Sequence, residues 1–361
     1  MNGTALVDKY YQSGEFENMP KIDIHFHYCT NDKTVLKKAA SINMHIVAIN
    51  TELGRSIQKQ LVMSRKYKKA FPTTFDFIGT FSTENFCSNH FATEAITQIN
   101  RCMDAGAKGI KIWKNIGLNL RDKNGKYVTI DHEKFTPIFA WLEKEQIPVL
   151  AHLGEPLNCW LPYNEITMAN ELRYFKICPA YYMYLHPEAP SYQQQIAARD
   201  QILERYPKLR FIGAHIASLE WNLDEVEERL KRFSEFYIEI SARIGHIQLQ
   251  AMKNREKVRN FFIRWQDRIL YGSDGMLFDN SLIKILYCIV FKKNWEREKK
   301  YPFFYQEWKN HWLYFATNEL VPCEKFNMEN APQCIEGLQL PKEVINKMFY
   351  ENAKKTIGII K

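Results

Sequence analysis

Apolar residues recur along the chain in short runs, each broken off by a polar residue. The runs Lys21–His27, Ile46–Asn50, Phe75–Phe81, Gly109–Trp113, Val149–His152, Leu209–His215, Phe236–Ser241 and Arg268–Ser273 predict eight β-strands. Between them the apolar spacing lengthens to that of helices. Asp131 is placed to cap a helix that puts Phe135, Ile138, Phe139 and Leu142 on one face. Asp224 opens a second, with Val226, Leu230 and Phe233 at helical spacing. Val258, Phe261, Phe262 and Trp265 form a third that ends near Arg268. Pro72 and Gly106 stop the helices before the third and fourth strands. Strands and helices alternate throughout, which predicts an α/β fold, a (β/α)8 TIM barrel.

Two connections are longer than barrel closure requires. Residues 155–193 follow the fifth strand and are rich in Trp, Tyr, Pro and Asn; residues 275–340 follow the eighth and carry many aromatics, before a final helix Lys342–Lys355. Long connections in a compact domain serve as lids, binding loops or oligomer contacts. Both leave the carboxyl ends of strands, so they are expected to wall a pocket, with packing or a homo-oligomer interface as the alternative. No repeat, low-complexity tract or Gly/Ser linker divides the 361 residues, and one domain is expected.

Composition narrows the function. The 46% hydrophobic content suits a large core, and the net charge of +8 is spread over helical faces. The densest basic runs, Arg65–Lys69 and Lys292–Lys300, fit solvated surfaces, so no nucleic-acid partner is expected. A small anionic substrate accounts for the charge more economically. Eight cysteines form no Cys-x-x-Cys pair, and Cys102 and Cys288 sit in apolar segments, as free core thiols do. A cytoplasmic location is expected, since the N-terminal residues lack a charged start followed by an apolar run. No apolar stretch approaches membrane-spanning length, so no membrane partner is expected.

The chemistry lies at the strand ends. In a strand, residues two apart share a face, so His25 and His27 both point into the barrel mouth, with Asp23 on the same parity. Two neutral imidazoles suit zinc or a similar transition metal. His152 and His215 end later strands at matching positions, which argues against isolated core histidines. Asp274 ends the last strand after Tyr-Gly-Ser, where it can bind a metal and accept a proton from water, or simply cap the next helix. Lys111 and Trp113 share one face of the fourth strand. A lysine facing a barrel interior needs a partner or a modification to offset desolvation. Lys114 reads as a loop residue. Arg243, after the seventh strand, presents two parallel donors suited to a carboxylate, or a rim salt bridge with Glu239 or Glu155. His186 and the run Tyr181–Tyr184 lie in the long fifth connection, where substrate contact is one reading and packing the other. No Gly-x-Gly-x-x-Gly, phosphate loop or Gly-x-Ser-x-Gly turn occurs.

The order His25-x-His27, Lys111, His152, His215, Asp274 over eight strands resembles the amidohydrolase superfamily. The runs Pro-Val-Leu-Ala-His152, Phe-Ile-Gly-Ala-His215 and Leu-Tyr-Gly-Ser-Asp274 are similar to amidohydrolase family 2, related to aminocarboxymuconate-semialdehyde decarboxylase. The resemblance covers about residues 20–275 and the last helix, with Tyr350-Glu-Asn-Ala353. It implies one metal held by His25, His27, His152 and Asp274, with His215 as acid or base beside Asp274. Zn2+ is the expected ion. Lys111 bears on metal number: carboxylated it would bridge two ions, uncarboxylated it would bind a substrate anion or a structural partner.

Two reactions fit that set. One is metal-dependent hydrolysis of a small, carboxylate-bearing substrate, with Lys111, Arg243, Trp113 and His186 as its expected contacts. The other is nonoxidative decarboxylation of an unsaturated or aromatic carboxylate, a carbon–carbon lyase. A non-catalytic barrel would show missing ligands, yet every position implied by the resemblance is occupied.

Overall fold

The computed structural model describes residues 9–52, 55–279, 289–290 and 303–359. Nine parallel strands share one sheet: β1 (Lys21–Cys29), β2 (Met44–Ile49), β3 (Phe75–Thr80), β4 (Ile110–Ile112), β5 (Val149–Ala151), β6 (Phe211–Gly213), β7 (Phe236–Glu239), β8 (Ile269–Leu270) and β9 (Gly275–Phe278). Their order is β8-β7-β6-β5-β4-β3-β2-β1-β9. The sheet closes on itself. Ile24 N donates to Tyr271 O, just past β8, at 3.1 Å, and Asp274 N donates to His25 O at 2.8 Å. β9 then continues along the same flank of β1, pairing Phe26 with Gly275 and Cys29 with Phe278. β8 and β9 are therefore two halves of an eighth barrel strand, interrupted where Asp274 adopts a φ of 61°.

Helices Ile57–Ala70, Phe91–Asp104, Thr136–Lys144, Tyr192–Arg205, Leu223–Arg232 and Ile244–Arg264 return the chain between strands. Two expected caps move by one or two residues. His132, not Asp131, caps the turn that leads into Thr136–Lys144, accepting from Lys134 N at 3.2 Å. Asn222, not Asp224, caps Leu223–Arg232, because its backbone is still extended; Asp224 N donates to its side chain at 3.0 Å. Asp224 sits in the first turn, where its charge still suits the helix dipole.

The interior has two layers. Ile22, Ile24, Val47, Ile78, Leu150, Ile212 and Leu270 form an inner cluster capped by Ala353 and Ile357 of the last helix. That helix is broken into Lys342–Asn346, a π-helical turn Lys347–Glu351, and Asn352–Ile357. Asn352 anchors it by donating to Ile269 O at 2.7 Å. The outer cluster packs the other strand faces, including Phe26, Phe77, Ile110 and Ile112, against the helices.

β1 departs from simple alternation. Its pairing with β2 slips between Asp23 and Phe26. Ile22 and Ile24 face inward, and so do His25 and His27 beyond the slip. Asp23 does not share their face: it accepts from Trp308 Nε1 at 2.9 Å and Ser273 Oγ at 2.5 Å. A bulge of this kind re-aims the side chains beyond it.

Residues 156–191 fold into short helical pieces around Leu118, Cys159, Ile166, Phe175, Tyr182 and Met183. After β9 come the helix Phe303–Ala316 and a hairpin, Leu320–Pro322 with Cys334–Glu336. Cys288 and the basic run Lys292–Lys300 lie outside the described residues. Among the described residues, no helix is long and apolar enough to cross a membrane.

Candidate metal centre

The carboxyl ends of the strands bring His25, His27, His152, His215 and Asp274 into one cluster. His25 Nε2 lies 3.5 Å and His27 Nε2 3.3 Å from Asp274 Oδ1. One donor atom from each of these three residues lies within 4.8 Å of the others. The His25 and His215 ring centroids are 4.8 Å apart, and those of His215 and His152 4.3 Å. His152 is thus one ring further from the three-residue group than its expected companions.

Backbone geometry explains two of the sequence runs. His215, Ile216, Ala217 and Ser218 have φ values of 58°, 58°, 55° and 56°, a left-handed turn. Each such residue costs roughly 1–2 kcal/mol, strain that surrounding contacts must outweigh. Ser218 Oγ donates to Leu153 O at 3.0 Å, and Arg199 Nη1 donates to Ala217 O at 2.5 Å. The turn folds back so closely that a Cβ on Gly213 would lie 2.4 Å from Ala217 Cβ. A Cβ on Gly272 would lie 2.8 Å from both Glu239 Oε2 and His25 Cβ. The glycines before His215 and Asp274 are steric requirements of the site.

Glu239, on β7, orients the histidines. His25 Nδ1 donates to its Oε1 at 2.7 Å, and His215 N donates to the same oxygen at 2.8 Å. His215 Nδ1 donates to Ser241 O at 3.0 Å. Both rings therefore carry their proton on Nδ1, leaving the Nε2 lone pairs free. Burial would raise the Glu239 carboxyl, but the His25 and His215 contacts and Ser241 N hold it down at about 2. Burial also keeps His152 and His215 neutral, well below the usual imidazole range, helped by Lys114 near His152 and by His152 near His215. Asp274 is pushed up by burial, yet His27, 3.3 Å away, and the nearby His25 and His215 imidazoles hold it well below the usual carboxylate range.

The residues fit a metal. His25 Nε2, His152 Nε2 and Asp274 Oδ1 are buried and make no hydrogen bond among the described residues. Buried polar atoms left alone are costly, and neutral imidazoles with a carboxylate are the donor set that zinc takes. Lys111 is fully buried, and its Nζ also lacks a hydrogen bond. Burial lowers its pKa to about 8 against the pull of Glu239 and Asp274.

A cavity of about 250 Å³ opens onto this cluster, lined by His27, His152, His215 and Asp274 below and by Trp113, Tyr174 and Tyr181 above. Asn170, Glu171 and Tyr174 come from the long fifth connection, as expected of a pocket wall. Arg243 lines it too, and its ion-pair partner is Glu171 at 3.6 Å rather than Glu239 or Glu155. Lys114, read from the sequence as a loop residue, is buried in the wall and paired with Glu155. β4 ends at Ile112, so Lys114 lies just past the strand, as expected. His186 is not among the lining residues; its Nε2 donates to Pro179 O at 3.1 Å and it is about one-third exposed. Sequence reasoning missed Glu239 as the partner of His25. Its signal was a carboxylate between two isoleucines in an apolar strand.

A sequence model of the amidohydrolase family matches residues 85–359. The chain belongs to that family. These are metal-dependent enzymes, and the match covers His152, His215 and Asp274 but begins after His25 and His27. Solved structures share the barrel fold. A 2,6-dihydroxybenzoate decarboxylase from Rhizobium has a TM-score of 0.54 at 12% identity, over 94% of this chain and 99% of that one. A 4-oxalomesaconate hydratase from Rhodopseudomonas palustris has 0.50 at 11%, over 94% and 95%. An uncharacterized TIM-barrel protein from Bordetella bronchiseptica has 0.50 at 14%, over 90% and 81%. At these identities the likeness shows the fold alone. No curated protein sequence matches the chain.

Proposed function

We propose that this amidohydrolase is a metal-dependent hydrolase of a small, carboxylate-bearing substrate, using one divalent ion, most simply zinc. The supporting observation is the set of buried, unbonded donor atoms on His25, His152 and Asp274 at the floor of an aromatic-walled cavity. His25, His27, His152 and Asp274 would hold the ion. Bound there, it supplies a Lewis acid and lowers the pKa of water to about 7. The chain's own groups manage the protons. Asp274, held ionised, accepts one from water in the cavity. His215, its Nδ1 proton committed to Ser241 O, has Nε2 free to accept a proton and pass it to the leaving group. Arg243, whose Nε makes no hydrogen bond, would hold the substrate carboxylate; Lys111 is fully buried and outside the cavity lining, so it would act on the substrate only through its charge.

A second reading is nonoxidative decarboxylation, favoured by the walls of Trp113, Tyr174 and Tyr181, which suit a flat unsaturated ring. Here Asp274 or His215 would first take the proton of the substrate hydroxyl and then deliver it to the ring carbon as the carbon–carbon bond breaks and carbon dioxide leaves. Carbon dioxide release from hydroxybenzoates, set against hydrolysis of carboxylate-bearing lactones and amides, separates the two. The double variant His25→Ala/His27→Ala is expected to lose both bound metal, by elemental analysis, and turnover. Full turnover by a metal-free double variant overturns the proposal.

A further inference from the structure

We infer that the Lys114–Glu155 ion pair is a specificity element that admits substrates with one carboxylate and rejects those carrying a second on the Lys114 side of the cavity. The inference rests on the carboxylate-binding reading above and goes beyond it by limiting the charge the cavity accepts.

Lys114 is buried, and its Nζ donates to Glu155 Oε1 and lies 3.5 Å from Tyr174 Oη. Three aromatic rings surround the ammonium, with centroids at 5.0 Å for Tyr181, 5.4 Å for Tyr174 and 5.8 Å for Trp113. The cation is thus faced by a carboxylate, a hydroxyl and three π-faces. Glu155 faces the other way as well: its Oε2 stands 3.5 Å from His152 Nε2. A ligand anion reaching from the imidazole cluster towards Lys114 therefore meets the Glu155 carboxylate before it meets the ammonium. Like charges at such a distance, in a wall from which water is largely excluded, repel strongly.

Arg243 is held differently. Arg243 Nη1 is 3.6 Å from Glu171, but Glu171 is shared: it accepts from Asn158 Nδ2 at 2.6 Å and pairs with His246 Nε2 at 2.9 Å. Arg243 Nε makes no hydrogen bond. Among the described lining residues, the cavity thus offers one incompletely satisfied cation and one that is fully neutralised. One carboxylate finds a partner. A second does not, whereas a hydroxyl or carbonyl at that end can bond the Lys114–Glu155 pair without displacing it.

The test is calorimetric titration of the metal-loaded protein with benzoate and with isophthalate, its 1,3-dicarboxylate counterpart. Wild type is expected to bind benzoate at least about tenfold more tightly than isophthalate. Glu155→Gln leaves Lys114 charged and unneutralised, and is expected to abolish that preference through a gain for isophthalate as large as the wild-type preference, about tenfold or more. Lys114→Met removes the cation and is expected to give no gain. Melting curves and metal content show that each variant is intact. An unchanged ratio in Glu155→Gln with benzoate still bound overturns the inference alone. An equal gain in both variants also overturns it, because space rather than charge would then be limiting. If Glu155→Gln does not fold, equal affinity of wild type for the two acids is decisive against it. Failure of wild type to bind either acid overturns the carboxylate reading itself, and the inference with it.

Discussion

Replacing Glu239 by Gln tests how the histidines are held. The native carboxylate accepts four donors: His25 Nδ1 at 2.7 Å, His215 N at 2.8 Å, Ser241 Oγ at 2.8 Å and Ser241 N at 2.6 Å. Three of them converge on Oε1 and one on Oε2. Gln keeps the shape but offers one acceptor oxygen and one NH2 donor. With the amide oxygen at the Oε1 position, the NH2 faces Ser241 N–H, donor against donor. With the amide flipped, it faces the His25 Nδ1 proton, which must then move to Nε2 and cap the lone pair meant for the metal. Either outcome loses at least one charge-assisted hydrogen bond, about 1.5–3 kcal/mol. Zinc affinity is therefore expected to fall about 10- to 100-fold, as for other carboxylates that orient ligating histidines. Competition with a chromophoric chelator measures it, and the absorption spectrum of the cobalt-substituted protein reports ligand geometry independently of turnover. Zinc affinity within about twofold of wild type, in a folded variant with an unchanged cobalt spectrum, would refute the reasoning.

Gly272→Ala places a methyl 2.8 Å from Glu239 Oε2 and His25 Cβ, so it is expected to destabilise by about 1–3 kcal/mol and weaken metal binding; an unaltered melting curve counts against this. Arg243→Met is expected to raise KM about 10- to 100-fold with little change in kcat, since a guanidinium that only holds the substrate contributes equally to ground and transition states. A fall in kcat at constant KM contradicts that role. Asp76, away from the site, is ion-paired to Lys68 at 2.6 Å and bonded to His45 Nε2 at 3.0 Å. Burial pushes its carboxyl up, but these two contacts hold it below the usual range. Because its pKa is lower folded than unfolded, its stabilisation is complete above the unfolded value of about 3.9 and is lost as pH falls through the folded one. Asp76→Asn should therefore melt well below wild type at pH 7, with the gap narrowing below about pH 4; a constant gap rules out the linkage.

Much of the site was legible because its residues close local patterns. His152 and His215 follow small apolar runs, Asp274 follows Tyr-Gly-Ser, and a parallel barrel collects such strand ends at one rim. The glycines in those runs were legible as signals but not as causes. Only the fold shows Gly213 lying under Ala217 and Gly272 lying against the His25–Glu239 pair. Asp23 was misplaced because alternation was carried through a register slip that depends on β2, not on β1.

What the sequence determined by itself was therefore periodic and local: the barrel, the strand-end histidines, and Asp274. What the tertiary structure decided was pairwise and distant. Glu239 lies 214 residues from the His25 it orients, Arg243 was matched to Glu171 rather than to the carboxylates nearer in the pattern, and Lys114 was buried against Glu155. The physical reason is common to all three. A period of two reports which face a side chain takes, but the partner that satisfies a buried charge is set by which strand ends and loops the closed barrel brings together.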